Sequence, residues 1–225
     1  LQVQRLSIAF ADRQLLDNVS FTLGDRARAA LAGSNGSGKS TLLQIIAGLM
    51  SADIYECAQS RNMRISYLPQ SDIVFEEGTA YEQVELAYDR FLPFVDEQHA
   101  IEERLANGEL SEHLLDRLHE IQETLLNDGY YDRKTEIAII LKGLGFHDHD
   151  LNRPCREFSG GWQMRIAWAK VLAEQPTLLL LDEPTNYLDI EARYWLRNYL
   201  RIYPESIMIV SHDRSFLDDT VNEVF

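Results

Sequence analysis

Nine residues, Gly33 to Thr41 (GSNGSGKST), constrain this chain more than any others. They fit G-x-x-x-x-G-K-[ST], with Gly33, Gly38, Lys39 and Ser40 at the defining positions and Gly36 as a further bare backbone position. Glycines allow the backbone angles that turn successive N–H groups inward, and side chains there would block close approach to a phosphate. The preceding Arg26–Ala32 (RARAALA) is short and apolar enough for a buried strand, and Lys39–Gly48 (KSTLLQIIAG) has helical periodicity ending in glycine. The run therefore predicts a loop at a helix N-terminus, where the helix dipole and unpaired amides favour an anion. Lys39 can reach terminal phosphates and the Ser40 hydroxyl can hold Mg²⁺, while Ser34, Asn35, Ser37 and Thr41 complete the phosphate-binding run. The bland alternative is a strand-to-helix turn that merely contains glycines. Agreement of strand, loop, Lys-Ser pair and helix argues against it.

With 225 residues and 45% hydrophobic content, the chain can build one compound domain or two small ones. Its apolar runs, such as Leu178–Leu181 and Ile207–Val210, are strand-length, far short of the roughly 18 residues a bilayer span needs, so no transmembrane segment is expected. No secretory leader is visible in residues 1–25, and a cytoplasmic location is expected. Cys57 and Cys155 have neither a disulfide framework nor metal-ligand spacing and read as two reduced structural thiols. Leu1 is not a start methionine and Val224–Phe225 resembles an unfinished strand, so a part of a longer protein is expected.

The net charge of −15 is concentrated in one stretch: Asp72 to Asp132 holds seventeen acids against three bases, Arg90, Arg104 and Arg117. Such a face opposes phosphate contact, and direct DNA binding is not expected. In the same region, Thr79 to Leu144, the pattern becomes helical, as in Leu110, Leu114, Leu115, Leu118, Ile121 and Leu125, with a turn near Asn107 and Gly108. Before it, Leu1–Ala9 and Val19–Leu23 alternate like strands around a polar turn at Asp12–Asp17, and a strand at Arg64–Leu68 leads to Gln70. After Pro154, helices from Gly161 and Ile190 alternate with strands at Leu178–Leu181 and Ile207–Val210. Alternation of this kind predicts an α/β fold with a largely parallel sheet and ligands at the strand carboxyl ends.

Thr177–Asp182 (TLLLLD) is an apolar strand ending in an acid, with Glu183 next. Two carboxylates delivered near a phosphate loop suit Mg²⁺-dependent phosphoryl transfer: Asp182 would steady the metal shell, and Glu183 would orient or deprotonate the attacking water. Phe158–Trp162 (FSGGW) opens the next helix, so Ser159, Gly160 and Gly161 form either a second anion-binding helix start or a plain N-cap.

At this spacing before TLLLLDEPT, the Ser-Gly-Gly resembles the signature motif of ATP-binding cassette (ABC) ATPases, a family whose members bind ATP and Mg²⁺. The resemblance runs along the whole chain. Gln70 matches the Q-loop, with a catalytic and metal-binding role; Asp189 in NYLD matches the D-loop, and His212 in IVSHD the switch histidine. Phe10 falls where the family places an adenine-stacking aromatic. Residue by residue, plainer roles stay open: a surface amide for Gln70, a strand-end histidine for His212, a core aromatic for Phe10, and turn or cap roles for Asp189 and Asp213. The implied fold is a P-loop NTPase cassette, a mainly parallel sheet with an antiparallel β part and an all-helical insert. The expected division is a RecA-like core with its β part over 1–71 and 151–225, and a helical subdomain with a short acidic insert over 72–150.

DEPTNYLD, Trp162 where the signature usually has glutamine, and the long helical insert resemble the ABC-F branch, specifically its first cassette. That branch has two cassettes per chain, no membrane domain, and mostly acts on ribosomes. The expected function is an ATP hydrolase cassette in an ATP-gated clamp, completed by a second cassette of the same longer chain or of a homodimer, with the ribosome as target. Where the branch has a long arm, this insert is short and acidic, which argues against arm-mediated RNA contact. The rivals are the ATP-binding subunit of a membrane transporter, which an exposed apolar groove near Gln70 would favour, and a chromosome or repair ATPase.

Overall fold

The computed structural model describes residues 1–10, 13–70 and 73–225. Strand β1 (Gln2–Phe10) lies between β2 (Arg13–Thr22) and a later strand, β4 (Ile54–Ala58), in an antiparallel three-stranded sheet. A bulge at Arg5, whose φ is +51°, shifts the register so that Val3 and Leu6, three apart, both reach the core. The expected polar turn at Asp12–Asp17 is corrected: β2 already begins at Arg13, and Leu16, buried opposite Ile8, draws that stretch into the sheet. Ala11 and Asp12 lie outside the described residues. β4 carries no sequence signal because it is an edge strand, exposed along most of its length.

The second sheet has five strands in the order β5 (Ile65–Leu68), β6 (Leu178–Asp182), β7 (Ser206–Val210), β3 (Arg28–Ala30), β8 (Glu223–Val224), each parallel to its neighbours. Period-2 alternation divides its side chains between two cores. Leu178, Leu180, Met208 and Val210 pack with helix α1 (Lys39–Ile46) and the antiparallel sheet, while Leu179, Leu181, Ile207 and Ile209 pack against the helices of the other face. Leu178 to Leu181 are fully buried, and each such side chain is worth about 1.5–3 kcal/mol by area transfer. The strand that ends in Asp182 is therefore gripped on both faces.

The stretch from Ala80 to Gly143 is helical, as its periodicity predicts: α2 (Ala80–Glu85), a 3₁₀ turn, α3 (Leu92–Ala106), α4 (Glu112–Asn127) and α5 (Arg133–Gly143). Thr79 starts α2 with a reciprocal capping box, accepting from the Glu82 N–H while the Glu82 carboxylate accepts from the Thr79 N–H. The α3–α4 turn falls at Asn107 and Gly108, the latter at φ +88°. Of the residues in that apolar pattern, Leu110 precedes α4, which corrects its helical reading, and Leu115 lies in α4 but is exposed, while Leu114, Ile121 and Leu125 are buried. These helices share one continuous core with α6 (Gly160–Ala173), α7 (Ile190–Ile202) and one sheet face; α8 (Arg214–Thr220) contributes Phe216. Both cysteines are free; Cys155 is buried, but Cys57 is exposed on β4, which corrects its reading as a structural thiol. No helix among the described residues is long and apolar enough to cross a membrane.

Candidate functional site

Strand order alone brings the chemical groups together. The carboxyl end of β3 feeds the glycine loop, that of β7 leads to His212, that of β6 carries Asp182 and Glu183, and that of β5 leads to Gln70. These four ends are adjacent along one sheet edge. They wall a cleft of about 570 Å³ lined by Asn35, Gly36, Gly38, Lys39, Ser40, Thr41, Gln70, Asp182, Glu183 and His212. Leu15, Asn186 and Val210 also line it, and sequence reasoning missed all three.

The loop has the conformation its glycines predict. Gly36 and Gly38 sit at φ +76° and +95°. A Cβ on Gly38 would lie 2.8 Å from Leu16 Cδ2, so both backbone angle and packing demand glycine there. The Lys39 ammonium folds over the loop, donating to the Gly33 and Ser34 carbonyls at 2.9 and 3.0 Å. Gly33, Ser34 and Ser37 thus belong to the loop without lining the cleft. After α1, Gly48 at φ +73° ends the helix, with the Leu49 N–H reaching back to the Gln44 carbonyl at 2.9 Å.

Asp182 is buried, and Tyr67 donates to its Oδ2 at 3.3 Å. Burial, chiefly, pushes the Tyr67 phenol up to about 12; the Asp182 charge adds to this, and a hydrogen bond from Gln44 opposes it. Glu183 has φ +50°, a costly angle for a glutamate, and its amide donates to the Val210 carbonyl at 2.8 Å. Its side chain lines the cleft. Glu183 Oε2 accepts from the His212 N–H at 3.3 Å, whereas Oε1 is buried without a hydrogen bond, although His212 Nε2 lies 3.4 Å away. An orphaned carboxylate oxygen at a cleft wall fits a water or substrate group. Among the described residues no group of three or more His, Cys, Asp or Glu could hold a metal ion. The oxygen donors that line the cleft, Ser40, Gln70 and Asp182, are of the kind Mg²⁺ takes, an ion commonly held by one or two protein groups plus substrate phosphates.

Other expected site residues lie apart from the cleft. Phe10, at the end of β1, is 51% exposed, so a core role is excluded, but it does not line the cleft. Ser159 and Gly160 are exposed at the start of α6, where no side chain caps the helix. Asp189 caps α7, its Oδ1 accepting from the Ala192 N–H at 2.9 Å, while its Oδ2 pairs with Arg165 at 2.9 Å. The Ala192 amide and then Arg165 hold its carboxyl below the usual range. Asp213 likewise caps α8 through the Phe216 N–H, so the cap roles left open for both aspartates are present.

A glycine-loop cleft on a parallel sheet, with two acids at the end of the neighbouring buried strand, defines a P-loop nucleotide-binding domain. A family model described as ABC transporter matches residues 16–186, and the chain belongs to the ATP-binding cassette family. Its relatives include an uncharacterized ABC transporter ATP-binding protein of Bacillus subtilis (strain 168), YfmM, 35% identical over all of this chain and 44% of that protein. They also include ATP-binding cassette sub-family F member 3 of Mus musculus, 35% identical over all of this chain and 31% of that one. The chain thus spans less than half the length of these curated relatives. An ATP binding subunit of an ABC transporter superposes with a TM-score of 0.71 at 20% identity, over 98% of this chain and 82% of that one. The archaeal ribosome recycling factor aABCE1, solved with the ribosomal stalk protein aP1, gives 0.69 at 23%, over 100% and 36%. The ATP-binding cassette MJ0796, a dimer in a post-hydrolysis state bound to ADP and Pi, gives 0.62 at 21%, over 97% and 90%. The fold is that of a P-loop ABC cassette.

Proposed function

We propose that the chain binds and hydrolyses ATP as one cassette of an ABC-F-type protein, and that a second cassette completes its site. The observation that carries this is an asymmetry: the loop, Asp182, Glu183 and His212 wall one cleft, while the uncapped start of α6 does not line it and leaves Ser159 and Gly160 exposed. One copy holds a phosphate cradle and, elsewhere, an unused anion-binding helix end. A cassette arranged in this way caps its partner's nucleotide.

In this reading the loop amides and Lys39, released from its two carbonyls, hold the terminal phosphates, and Ser40, Gln70 and Asp182 would hold Mg²⁺. When bound, that ion supplies charge neutralisation at the phosphate oxygens. Glu183 orients or deprotonates the attacking water, His212 contacts the γ-phosphate and that water, and Phe10 stacks on adenine. Residues 1–71 and 151–225 form the ATPase core and 72–150 the helical subdomain. ATP hydrolysis by this chain at low concentration should rise in specific rate with protein concentration, and a rate independent of concentration in a proven monomer would sink the two-cassette reading.

The target we propose is the ribosome, with a cytoplasmic location. Support comes from the sub-family F relatives and the likeness to a ribosome recycling factor fold. The intact protein carrying Glu183→Gln, with the same change in its second cassette, should co-sediment with ribosomes only in ATP. A second reading has its own observation. A cleft of about 360 Å³, lined by Leu49, Ile65, Ile73, Phe75 and Val171, opens beside the Gln70 segment, the kind of apolar groove that a transporter subunit would offer a membrane partner. Fractionation with membranes instead of ribosomes would select that reading. Ser71 and Asp72, between Gln70 and Ile73 in the sequence, lie outside the described residues.

A further inference from the structure

Arg165 lies on α6, six positions past Ser159, and is only 7% exposed. A guanidinium so buried is tolerated when it is paired, and here three acceptors from two other segments take one N–H from each of its three nitrogens. Nη1 donates to the Leu144 carbonyl at 2.9 Å, Nε to the Tyr187 carbonyl at 3.1 Å, and Nη2 to Asp189 Oδ2 at 2.9 Å. The Trp162 ring supports the guanidinium at 4.5 Å, and Trp162 in turn meets Phe146 edge-on at 4.9 Å. Gly145, at φ +97°, leaves the room: a Cβ there would sit 2.8 Å from Arg165 Nη1.

The guanidinium fork is planar and its donor directions are fixed, so its three acceptors are held in one relative arrangement. Those acceptors belong to the end of the helical insert and to the segment after Glu183. Asp189 divides its work between two oxygens, Oδ1 capping α7 and Oδ2 pairing with Arg165, so the ion pair is not needed for the cap. Trp162, which departs from the usual signature residue, thereby gains a task as the floor under this cation.

We propose that Arg165, seated on Trp162, is a positioning residue that locks the end of α5, the start of α6 and the Tyr187–Asp189 segment into one unit. Ser159–Gly161 and Asp189 then meet a second cassette in fixed relative register. This rests on the reading that both segments face such a partner.

Two measurements on the intact protein test it: hydrogen exchange at the amides of 187–192, and separate determination of nucleotide Kd, KM and kcat. Arg165→Lys keeps a charge but offers a point donor instead of a fork. Asp189→Asn keeps a capping oxygen and loses the ion pair. Gly145→Ala presses on the guanidinium without removing any polar group. Each should leave nucleotide Kd within about twofold, lower kcat about tenfold with little change in KM, and speed exchange at 187–192 about tenfold while the α6 interior stays protected. Unchanged exchange, or unchanged kcat in all three, would overturn the lock, as would a loss of nucleotide affinity proportional to the loss of kcat. If Arg165→Lys does not fold, the other two variants decide. Wild-type hydrolysis indifferent to Ser159→Arg would instead sink the two-cassette reading, and the exchange result would still judge the lock.

Discussion

Helices α1 and α6 both begin at glycine-containing, anion-favouring turns, yet their surroundings are opposite. The α1 start is walled by the ends of β5, β6 and β7 and backed by Leu15 and Leu16, whereas Ser159 and Gly160 at the α6 start are exposed, with open space where a Cβ on Gly160 would lie. The first is a cleft whose walls from this chain are finished, and the second is, in the proposed reading, a surface for a partner cassette. The difference teaches that a helix N-terminus by itself says little; its neighbours decide whether it binds within its own chain or beyond it.

Breaking the finished side should have the largest consequences. Glu183→Gln should keep ATP binding and slow hydrolysis by about 10²–10⁴, read by single-turnover kinetics, because a general base contributes on that order. A wild-type rate would make Glu183 a structural acid. Lys39→Ala should weaken ATP binding about a hundredfold by calorimetry while the circular dichroism spectrum stays unchanged, since among the described residues the Lys39 ammonium bonds only to loop carbonyls. Retained affinity would remove the cation from the site. On the unfinished side, Ser159→Arg should leave nucleotide affinity intact and lower turnover at least about tenfold; equal loss of affinity would mean the α6 start serves its own cleft. The smallest effect compares caps. Thr79→Ala, which breaks a capping box, should cost about 1 kcal/mol in chemical denaturation, whereas Ser159→Ala, which breaks no side-chain cap, should cost almost nothing. Equal costs would erase the distinction between a structural and a partner-directed helix start.

What was legible in the sequence is what local chemistry dictates. The glycine loop announces itself because its backbone angles admit few other residues, and TLLLLD because a strand buried on both faces must be continuously apolar. Helices α3 and α4 were legible from their 3.6-residue spacing and the Asn107–Gly108 stop. β4 was not, since its exposed edge needs no apolar pattern, and the start of β2 was hidden because Arg13 and Gln14 read as turn residues until β1 pairs with them. Leu15 and Asn186 reach the cleft only through tertiary packing, and nothing near Arg165 in the chain foretells three acceptors drawn from residues 144, 187 and 189. Phe10 was placed by resemblance alone, and the cleft does not include it.

Leu15 and Leu16 hold the antiparallel sheet directly against Gly38, so the phosphate loop is supported from behind by a sheet other than the one that carries Asp182 and Glu183. That contact works as a gauge. Any slip in the pairing of Leu16 with Ile8 would move the side chains that back Gly38 before it changed a single reacting group. Variation along the outer strands of such a cassette can therefore tune how firmly it grips a nucleotide while the catalytic residues stay the same.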